Sequence, residues 1–529
     1  MPDPLSPSPA GGPGTHVVAD QSEVFAALAD PATHGLPAGE EVVRIDTHGA
    51  AVFLAGPFAY KVKRAVLFPF MDFSTLDKRR AACAAEVEIS GAGAPGLYLG
   101  VVPIVRGPGG LALGGDGPAV EHAVKMRRFD TALTLDKVAA RGALTPEIAK
   151  ALAGAVATSH AAAPKRPGFD TAARLASYVE DNAREFSARP DLFPAHQAAS
   201  LVRLSQERLA RLGPLLSARS AAGFARRCHG DLHLRNIVLI DGAPVLFDAI
   251  EFNDDIATCD VLYDLAFLLM DLWQREERAA ASLIFNRYLW ASPDEMIDGL
   301  AALPLFLSLR AAIRAKVETA GLGHLSGAAR SEAEARVRHA FAAALAFLDP
   351  GAASAPRLVA VGGLSGSGKS TFAAREAPGI GRPPGAVVVR SDIERKRAFG
   401  CAETEKLPPA AYTLEAGEQI YARLRALAAR VLASGQSVIV DAVHARAGER
   451  DAIAAVARDN GVPFEGYWLE ASEAELVRRV EARSGDASDA DAAVVRRQLS
   501  YDLGDIRWAR VSRPARSPVS TGAAPSGSD

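Results

Sequence analysis

The sequence predicts an α/β protein of several domains, and two observations support that prediction. From Leu358 onward, strand-like and helix-like segments alternate, which is typical of a parallel sheet between helical layers. Before that point, strand-like segments up to about Phe129 give way to helix-like segments, which indicates an α+β domain. A length of 529 residues agrees with this division, because one hydrophobic core rarely serves so long a chain.

The amino-acid composition and the distribution of charged and apolar residues disfavour several classes of function. The net charge is −3 at pH 7, so the chain has no general basic field that would attract nucleic acid. The four cysteines are scattered without C-x-x-C spacing, which disfavours a zinc site or a disulfide framework. The N-terminus lacks the pattern of a signal peptide, and apolar runs such as Val261–Met270 are too short for a membrane span. We therefore expect a cytoplasmic protein without a membrane partner.

Domain boundaries follow shifts in composition. Residues 1–16 and 512–529 are rich in proline, glycine and serine, and they are predicted to be disordered. A linker of small residues at 349–356 separates a first domain, 17–348, from a second domain, 357–511.

The first domain is predicted to open with a strand-rich lobe that carries one helix, Leu76–Ser90. Helix-like spacing dominates after Thr145. The predicted helices there include Pro146–His160, Thr171–Phe186 and Pro194–Leu212. The last helices of the second domain are predicted to run from Glu473 to about Arg510.

A glycine-rich stretch follows the first strand of the second domain and precedes a helix. It reads G-x-x-x-x-G-K-S, the P-loop pattern, in which backbone N–H groups and a helix N-terminus surround phosphate groups. Within it, Lys369 is expected to reach the β- and γ-phosphates of ATP, and Ser370 to hold Mg²⁺. The predicted ATP-binding set is Gly363, Leu364, Ser365, Gly366, Ser367, Gly368, Lys369, Ser370 and Thr371.

A second informative stretch, His229–Asn236, reads H-G-D-x-x-x-x-N and precedes a hairpin that ends at Asp248. One carboxylate can accept the proton of a substrate hydroxyl, while an amide oxygen and another carboxylate can hold Mg²⁺. The stretch resembles the catalytic loop of aminoglycoside-phosphotransferase-like kinases, which implies a bilobal, protein-kinase-like fold. By that resemblance Asp231 is the catalytic base, and Asn236 and Asp248 are metal ligands.

The same resemblance extends to the strand-rich lobe. Lys61 is implied as a phosphate-binding lysine and Glu86 as its ion-pair partner. Lys63, on the same strand face, remains an alternative to Lys61, and Glu88 remains a less favoured alternative to Glu86. Glu251 is either a further metal ligand or a residue that closes its loop by a backbone contact.

The second domain resembles P-loop kinases of the polynucleotide-kinase and gluconate-kinase kind, a group of AAA-type ATP-binding domains. By that resemblance Asp392 deprotonates the acceptor hydroxyl and Arg395 grips the acceptor. Asp441 ends an apolar strand, where a carboxylate can orient Mg²⁺ through water. Arg479 and Arg483 are predicted to belong to a lid that closes over the phosphates and stabilises charge in the transition state.

Other polar residues receive weaker assignments. Arg310 and Arg314 lie four apart on one helix, so they either meet an anionic substrate or, as is more usual, form a solvated face. Gln498 contacts the adenine edge on resemblance only. His444 is expected to cap or pack, and His233 is given no role.

Together these patterns predict a bifunctional ATP-dependent phosphotransferase, which resembles bacterial fusions of the two kinase types. Its acceptors are expected to be hydroxyl groups of small molecules, because no basic stripe is interleaved with aromatic residues as nucleic-acid binding would require. The alternative is a kinase with one activity, in which the other domain is regulatory or only binds a substrate. The sequence specifies neither the acceptors nor the oligomeric state.

Overall fold

The computed structural model describes residues 16–37, 39–68, 70–349, 351, 354–483 and 485–512. The chain divides into two compact units, Met1–Ala353 and Ser354–Asp529. Most of the predicted disordered termini and part of the predicted linker, namely residues 1–15, 513–529, 350, 352 and 353, lie outside the described residues.

The first lobe of the first unit is built on a six-stranded antiparallel sheet. Its elements in chain order are α1 (Ser22–Ala29), β1 (Val43–Asp46), β2 (Ala50–Ala55), β3 (Phe58–Lys63), β4 (Leu67–Phe68), β5 (Met71–Asp72), α2 (Leu76–Gly93), β6 (Tyr98–Gly107), β7 (Gly110–Leu113) and β8 (Ala119–Arg127). The strand order is β1-β2-β3-β8-β6-β7, while β4 and β5 form a separate hairpin. The expectation of a single helix is wrong, because α1 also packs on this sheet.

Alternation along β3 decides where its lysines lie. Tyr60 and Val62 join the core that includes residues of α1, whereas Ala59 joins a core on the other face with residues of α2. Because side chains alternate along a strand, Lys61 and Lys63 share the face of Ala59.

The second lobe is mainly helical. Its elements are α3 (Leu135–Ala140), α4 (Pro146–Ala162), α5 (Thr171–Ala188), α6 (Ala195–Ala221), β9 (Ala225–Arg227), β10 (Ile237–Ile240), β11 (Ala243–Leu246), α7 (Asp254–Ala257), β12 (Thr258–Asp260), α8 (Val261–Gln274), α9 (Arg278–Trp290), α10 (Leu303–Gly321) and α11 (Gly327–Leu348). Among the described residues, the stretch 294–321 is long and apolar enough to span a membrane, but 83% of its most apolar window is buried inside the protein.

The second unit is a five-stranded sheet with strand order β14-β15-β13-β16-β17, and every pairing in it is parallel. The elements are β13 (Leu358–Gly362), α12 (Lys369–Glu376), β14 (Val387–Arg390), α13 (Ser391–Ala398), α14 (Leu414–Ala433), β15 (Val438–Asp441), α15 (Ala447–Asp459), β16 (Phe464–Glu470), α16 (Glu473–Glu481), α17 (Ala492–Leu499) and β17 (Ala509–Ser512).

The sequence prediction for this unit is confirmed in its fold class and corrected at its end. The parallel sheet is present, but residues 509–512 form an edge strand instead of ending a helix. Trp508 precedes that strand and packs on Gly466, where a Cβ atom would lie 2.4 Å from the indole ring.

Candidate active sites

A cavity of about 290 Å³ in the first unit brings most of its predicted site residues together. Its apolar lining includes Val52, Leu54, Ala59, Met126, Phe129 and Phe247. Its polar lining includes Lys61, Glu86, Asp231, Asn236 and Asp248. A cavity with apolar walls and a few convergent polar groups is the usual form of a small-molecule site.

Lys61 lies between two carboxylates in this cavity. Its Nζ atom is 2.8 Å from Glu86 Oε1 and 2.5 Å from Asp248 Oδ1. Although burial acts in the opposite direction, Asp248 and Glu86 raise the pKa of Lys61 well above its usual value, so the lysine is charged. Glu88 is exposed, whereas Glu86 on the same helix is fully buried. The geometry therefore places Lys61 and Glu86 together, as the sequence predicts.

Asp231 is held so that one carboxylate oxygen stays free. Asn236 Nδ2 donates to Asp231 Oδ2 over 2.8 Å. His233 Nδ1 accepts the backbone N–H of Arg235, and His233 Nε2 lies 3.3 Å from the same Oδ2. Asp231 Oδ1 is buried without a hydrogen-bond partner among the described residues. The sequence analysis assigned no role to His233, although this residue lines the cavity beside the predicted base.

Asp248 occupies a strained backbone position at the end of the β10–β11 hairpin. Its φ is 62°, which is uncommon for a residue with a side chain and is often found at functional sites. The hydroxyl oxygen of Tyr98 accepts its backbone N–H over 3.0 Å. Asn236 donates to Asp231 through its amide nitrogen, so its side-chain oxygen is available as a ligand. That oxygen and the Asp248 carboxylate are hard oxygen donors, which fit Mg²⁺.

Asp264, in the first turn of α8, supports the backbone of the catalytic loop. It is fully buried and accepts the backbone N–H of Gly230 at 2.9 Å and that of His229 at 3.3 Å. His160 Nε2 lies 3.1 Å from it, and Arg310 lies 3.7 Å away. Asp264 therefore fixes the backbone immediately before the predicted base.

The expectation of a solvated face for Arg310 and Arg314 is wrong. Arg310 is 4% exposed and donates to the carbonyl oxygen of Gly230 over 3.2 Å. Arg314 Nη1 lies 2.6 Å from Asp271, which in turn accepts the backbone N–H of Leu234 over 3.0 Å. Both arginines hold the catalytic loop in place, and neither was identifiable from helix spacing alone.

In the second unit, glycines allow the P-loop to pack closely against its neighbours. Gly363 has φ 134° and Gly366 has φ 83°, values that favour glycine. A Cβ atom on Gly363 would lie 2.5 Å from the carbonyl oxygen of Leu469, and one on Gly366 would lie 2.5 Å from that of Leu476. Only glycine fits these positions, which agrees with a loop that surrounds a phosphate.

The parallel register places the predicted metal-orienting residue beside the P-loop. Asp441 ends β15 and is paired with Val361 of β13, which leads directly into the loop. Burial lowers the pKa of Lys369 and raises that of Asp441, and Ser370 hydrogen-bonds to Asp441. Asp441 Oδ2 and Ser367 Oγ are buried polar atoms without a hydrogen-bond partner in the described part of the chain. These oxygen donors fit Mg²⁺ and a phosphate ligand.

Arg390 is a site residue that sequence reasoning missed. It ends β14, which pairs with β15, and it lies 3.6 Å from Asp392 and 3.7 Å from Asp441. A third carboxylate, Asp486, lies 2.5 Å from it. Although burial acts in the opposite direction, these carboxylates raise the pKa of Arg390. Asp392, at the start of α13, thus shares one cation with the predicted Mg²⁺-orienting residue.

The predicted lid residues lie near the P-loop. Arg479 donates to the carbonyl oxygen of Gly366 over 3.3 Å, and the charge of Arg483 acts to lower the pKa of Lys369. Arg395 is placed differently, because it donates to the carbonyl oxygen of Ala411 and lies over the ring of Tyr412.

Two further residues can be placed. Gln498 uses its amide oxygen to accept the backbone N–H of Ser365 over 2.7 Å, so it holds the P-loop backbone. His444 packs between Tyr421 and Trp508, and burial lowers its pKa to about 3. A packing role for His444 agrees with this placement.

Comparison with known proteins bears on both units. Residues 101–296 match the phosphotransferase enzyme family, and residues 358–501 match the AAA domain family. Two different family models therefore match successive parts of the chain, the phosphotransferase enzyme family in the first unit and the AAA domain in the second. The predicted relationship is confirmed, and the chain is a phosphotransferase.

Relatives extend over most of the chain. Uncharacterized proteins of Mycobacterium tuberculosis and Mycobacterium bovis are 29% identical over 471 residues, covering 87% of this chain and 90% of each relative. A choline/ethanolamine kinase family protein from Mesorhizobium loti is 16% identical and covers 61% of this chain and 100% of its own, with a TM-score of 0.34. A gluconokinase from Sinorhizobium meliloti is 23% identical and covers 30% of this chain and 85% of its own, with a TM-score of 0.22.

Proposed function

We propose that the chain is a bifunctional kinase, in which each unit transfers the γ-phosphoryl group of ATP to a hydroxyl group of a small molecule. The observation that carries this proposal is that each unit contains, within itself, a candidate base, a lysine that could bind phosphate, and oxygen donors suited to Mg²⁺. A domain that only bound nucleotide would have no need of a candidate base. We place this activity in the cytoplasm, where the free cysteines would stay reduced.

In the first unit, the apolar part of the cavity would hold the adenine, and Lys61 would bind phosphate oxygens. Asp231 Oδ1 is the free oxygen that accepts the proton of the acceptor hydroxyl, since Oδ2 is occupied by Asn236. Asn236 and Asp248 would hold Mg²⁺, which neutralises negative charge on the phosphates when bound.

In the second unit, Lys369 and the P-loop N–H groups would bind the phosphates, and Asp392 would accept the acceptor's proton. Ser370 and Asp441 would hold or orient Mg²⁺. Arg479 and Arg483 would stabilise the charge on the migrating phosphoryl group, as positioned cations do in phosphoryl transfer.

The test separates the two activities. Full-length protein is incubated with Mg-ATP and a metabolite extract, and molecules that gain one phosphate are identified by mass spectrometry. Asp231→Asn should remove one set of products and Lys369→Ala a different set, while Asp255→Asn, at a side chain that is 74% exposed, should remove neither. If either active-site substitution abolished all products, the two sites would not act independently and the alternative of one regulatory unit would be favoured.

A further inference from the structure

A chain of alternating charges runs through the first unit beside the cavity. In spatial order it consists of Glu251, Lys63, Glu86, Lys61 and Asp248. Each oxygen of the Glu86 carboxylate contacts a different lysine, Oε1 to Lys61 and Oε2 to Lys63. Lys63 in turn contacts Glu251. The two lysines of one strand are therefore linked through one buried carboxylate.

The two ends of this chain differ in their exposure. The side chains of Lys63 and Glu251 are 2% and 5% exposed, whereas that of Asp248 is 40% exposed. Each lysine contacts two carboxylates, but both partners of Lys63 are buried, so releasing Lys63 for a phosphate would leave Glu86 and Glu251 without this partner in a buried place. Lys61 is therefore the lysine available to a ligand, and the Lys63–Glu251 pair remains closed.

Ligand binding would change only the end of this chain of charges that carries Lys61 and Asp248. Lys61 and Asp248 lie 2.5 Å apart and neutralise each other. Nucleotide phosphates that attract Lys61 would remove the partner that holds Asp248. Glu251 lies three residues beyond Asp248, and its contact with Lys63 ties the same segment to β3. The backbone between them is fixed as well, because Ser90 Oγ accepts the N–H of Ala249 over 3.2 Å.

We propose that Lys63 and Glu251 are a positioning pair, which holds Asp248 and Glu86 in place while Lys61 exchanges Asp248 for the phosphates of ATP. This inference rests on the proposed function of the first unit. It assigns to Glu251 neither metal binding nor a backbone contact, and it gives the second lysine of the strand a role distinct from that of the first. The pair should matter for binding of Mg-ATP and much less for binding of ATP alone.

The experiment uses full-length protein carrying Lys369→Ala, which disables the P-loop site. Calorimetric titration with a non-hydrolysable ATP analogue is done with Mg²⁺ and again with EDTA. Glu251→Gln should weaken Mg²⁺-dependent binding by about ten- to a hundredfold, the usual range for a lost hydrogen bond to a charged group. Binding in EDTA should change by less than about threefold. Glu88→Gln, an exposed glutamate on the same helix as Glu86, is the matched control and should change neither.

A second variant covers the case in which Glu251→Gln fails to fold. Lys63→Met with Glu251→Leu removes both charges of the pair, while Glu86 loses Lys63 but keeps its contact with Lys61, and the double variant should show the same Mg²⁺-dependent loss. The pair has no positioning role if both variants bind the Mg²⁺ complex as tightly as the parent while Asp248→Asn weakens it. If Lys61→Met and Asp248→Asn also bind normally, the proposed nucleotide site itself is wrong, and the role of the pair falls with it.

Discussion

Replacing Asp264 by alanine should destabilise the first unit more than almost any other single polar substitution in it. The side chain is fully buried and serves the N–H groups of His229 and Gly230, the imidazole of His160 and the guanidinium of Arg310. Removing one partner from a buried charged network costs about 3–5 kcal/mol, because the remaining groups stay buried without compensation. That is a large part of the roughly 5–15 kcal/mol that stabilises a typical domain.

Urea denaturation of the full-length protein, followed together with turnover at the first site, measures this effect. Asp264→Ala should lower the free energy of unfolding of the first unit by about 3–5 kcal/mol and abolish its turnover, since the loop carrying Asp231 loses its anchor. The matched control is Asp255→Ala, an exposed aspartate paired with Arg174 at 3.0 Å, which should cost less than about 1 kcal/mol. If Asp264→Ala lowered the free energy of unfolding by less than about 1 kcal/mol and left turnover unchanged, the reasoning would be refuted.

Three further predictions concern both units. Gly366→Ala should abolish nucleotide binding at the P-loop and leave the first site active, because the new methyl would meet the Leu476 carbonyl at 2.5 Å; fluorescence titration with a labelled ATP analogue checks this, and normal binding would contradict it. Burial lowers the pKa of His444 to about 3. As the pH falls below about 6.5, this histidine therefore binds a proton in the unfolded chain but stays neutral in the folded unit. Stability of the second unit should therefore fall by about 1.6 kcal/mol between pH 6.5 and pH 5, as measured by denaturation at both values, and a His444→Gln variant should lack this decrease. Tyr98→Phe removes the acceptor of the Asp248 N–H and should slow turnover at the first site by up to about tenfold in a steady-state assay, whereas an unchanged rate would show that this contact does not position Asp248.

Contiguous motifs made much of both sites predictable from the sequence. The P-loop follows its strand directly, so glycine spacing alone placed Gly363 to Thr371. The spacing of Asp231 and Asn236 likewise placed the catalytic loop, because residues close in sequence must lie close in space. The period of two along β3 left Lys61 and Lys63 equivalent, and both contact Glu86, so only their second partners, Asp248 for Lys61 and Glu251 for Lys63, distinguish them.

The residue roles that the sequence analysis did not predict depend on contacts between segments that are far apart in the chain. Arg310 reaches the loop at Gly230 across 80 positions, so no local pattern revealed it. Arg390 ends a strand, which is not distinctive in a sequence. Its contact with Asp441 arises only because β14 pairs with β15 in the folded sheet. Buried polar residues of this kind resemble surface residues in sequence, because local spacing records periodicity and not tertiary partners.

The most direct test of the two-site account is the number of nucleotides bound per chain. Equilibrium titration of the full-length protein with a non-hydrolysable ATP analogue and Mg²⁺ should give two per chain. Asp248→Asn should reduce this number to one, and Lys369→Ala should reduce it to one by removing the other site. A single nucleotide per chain in the unaltered protein, or loss of both through either substitution, would contradict the account.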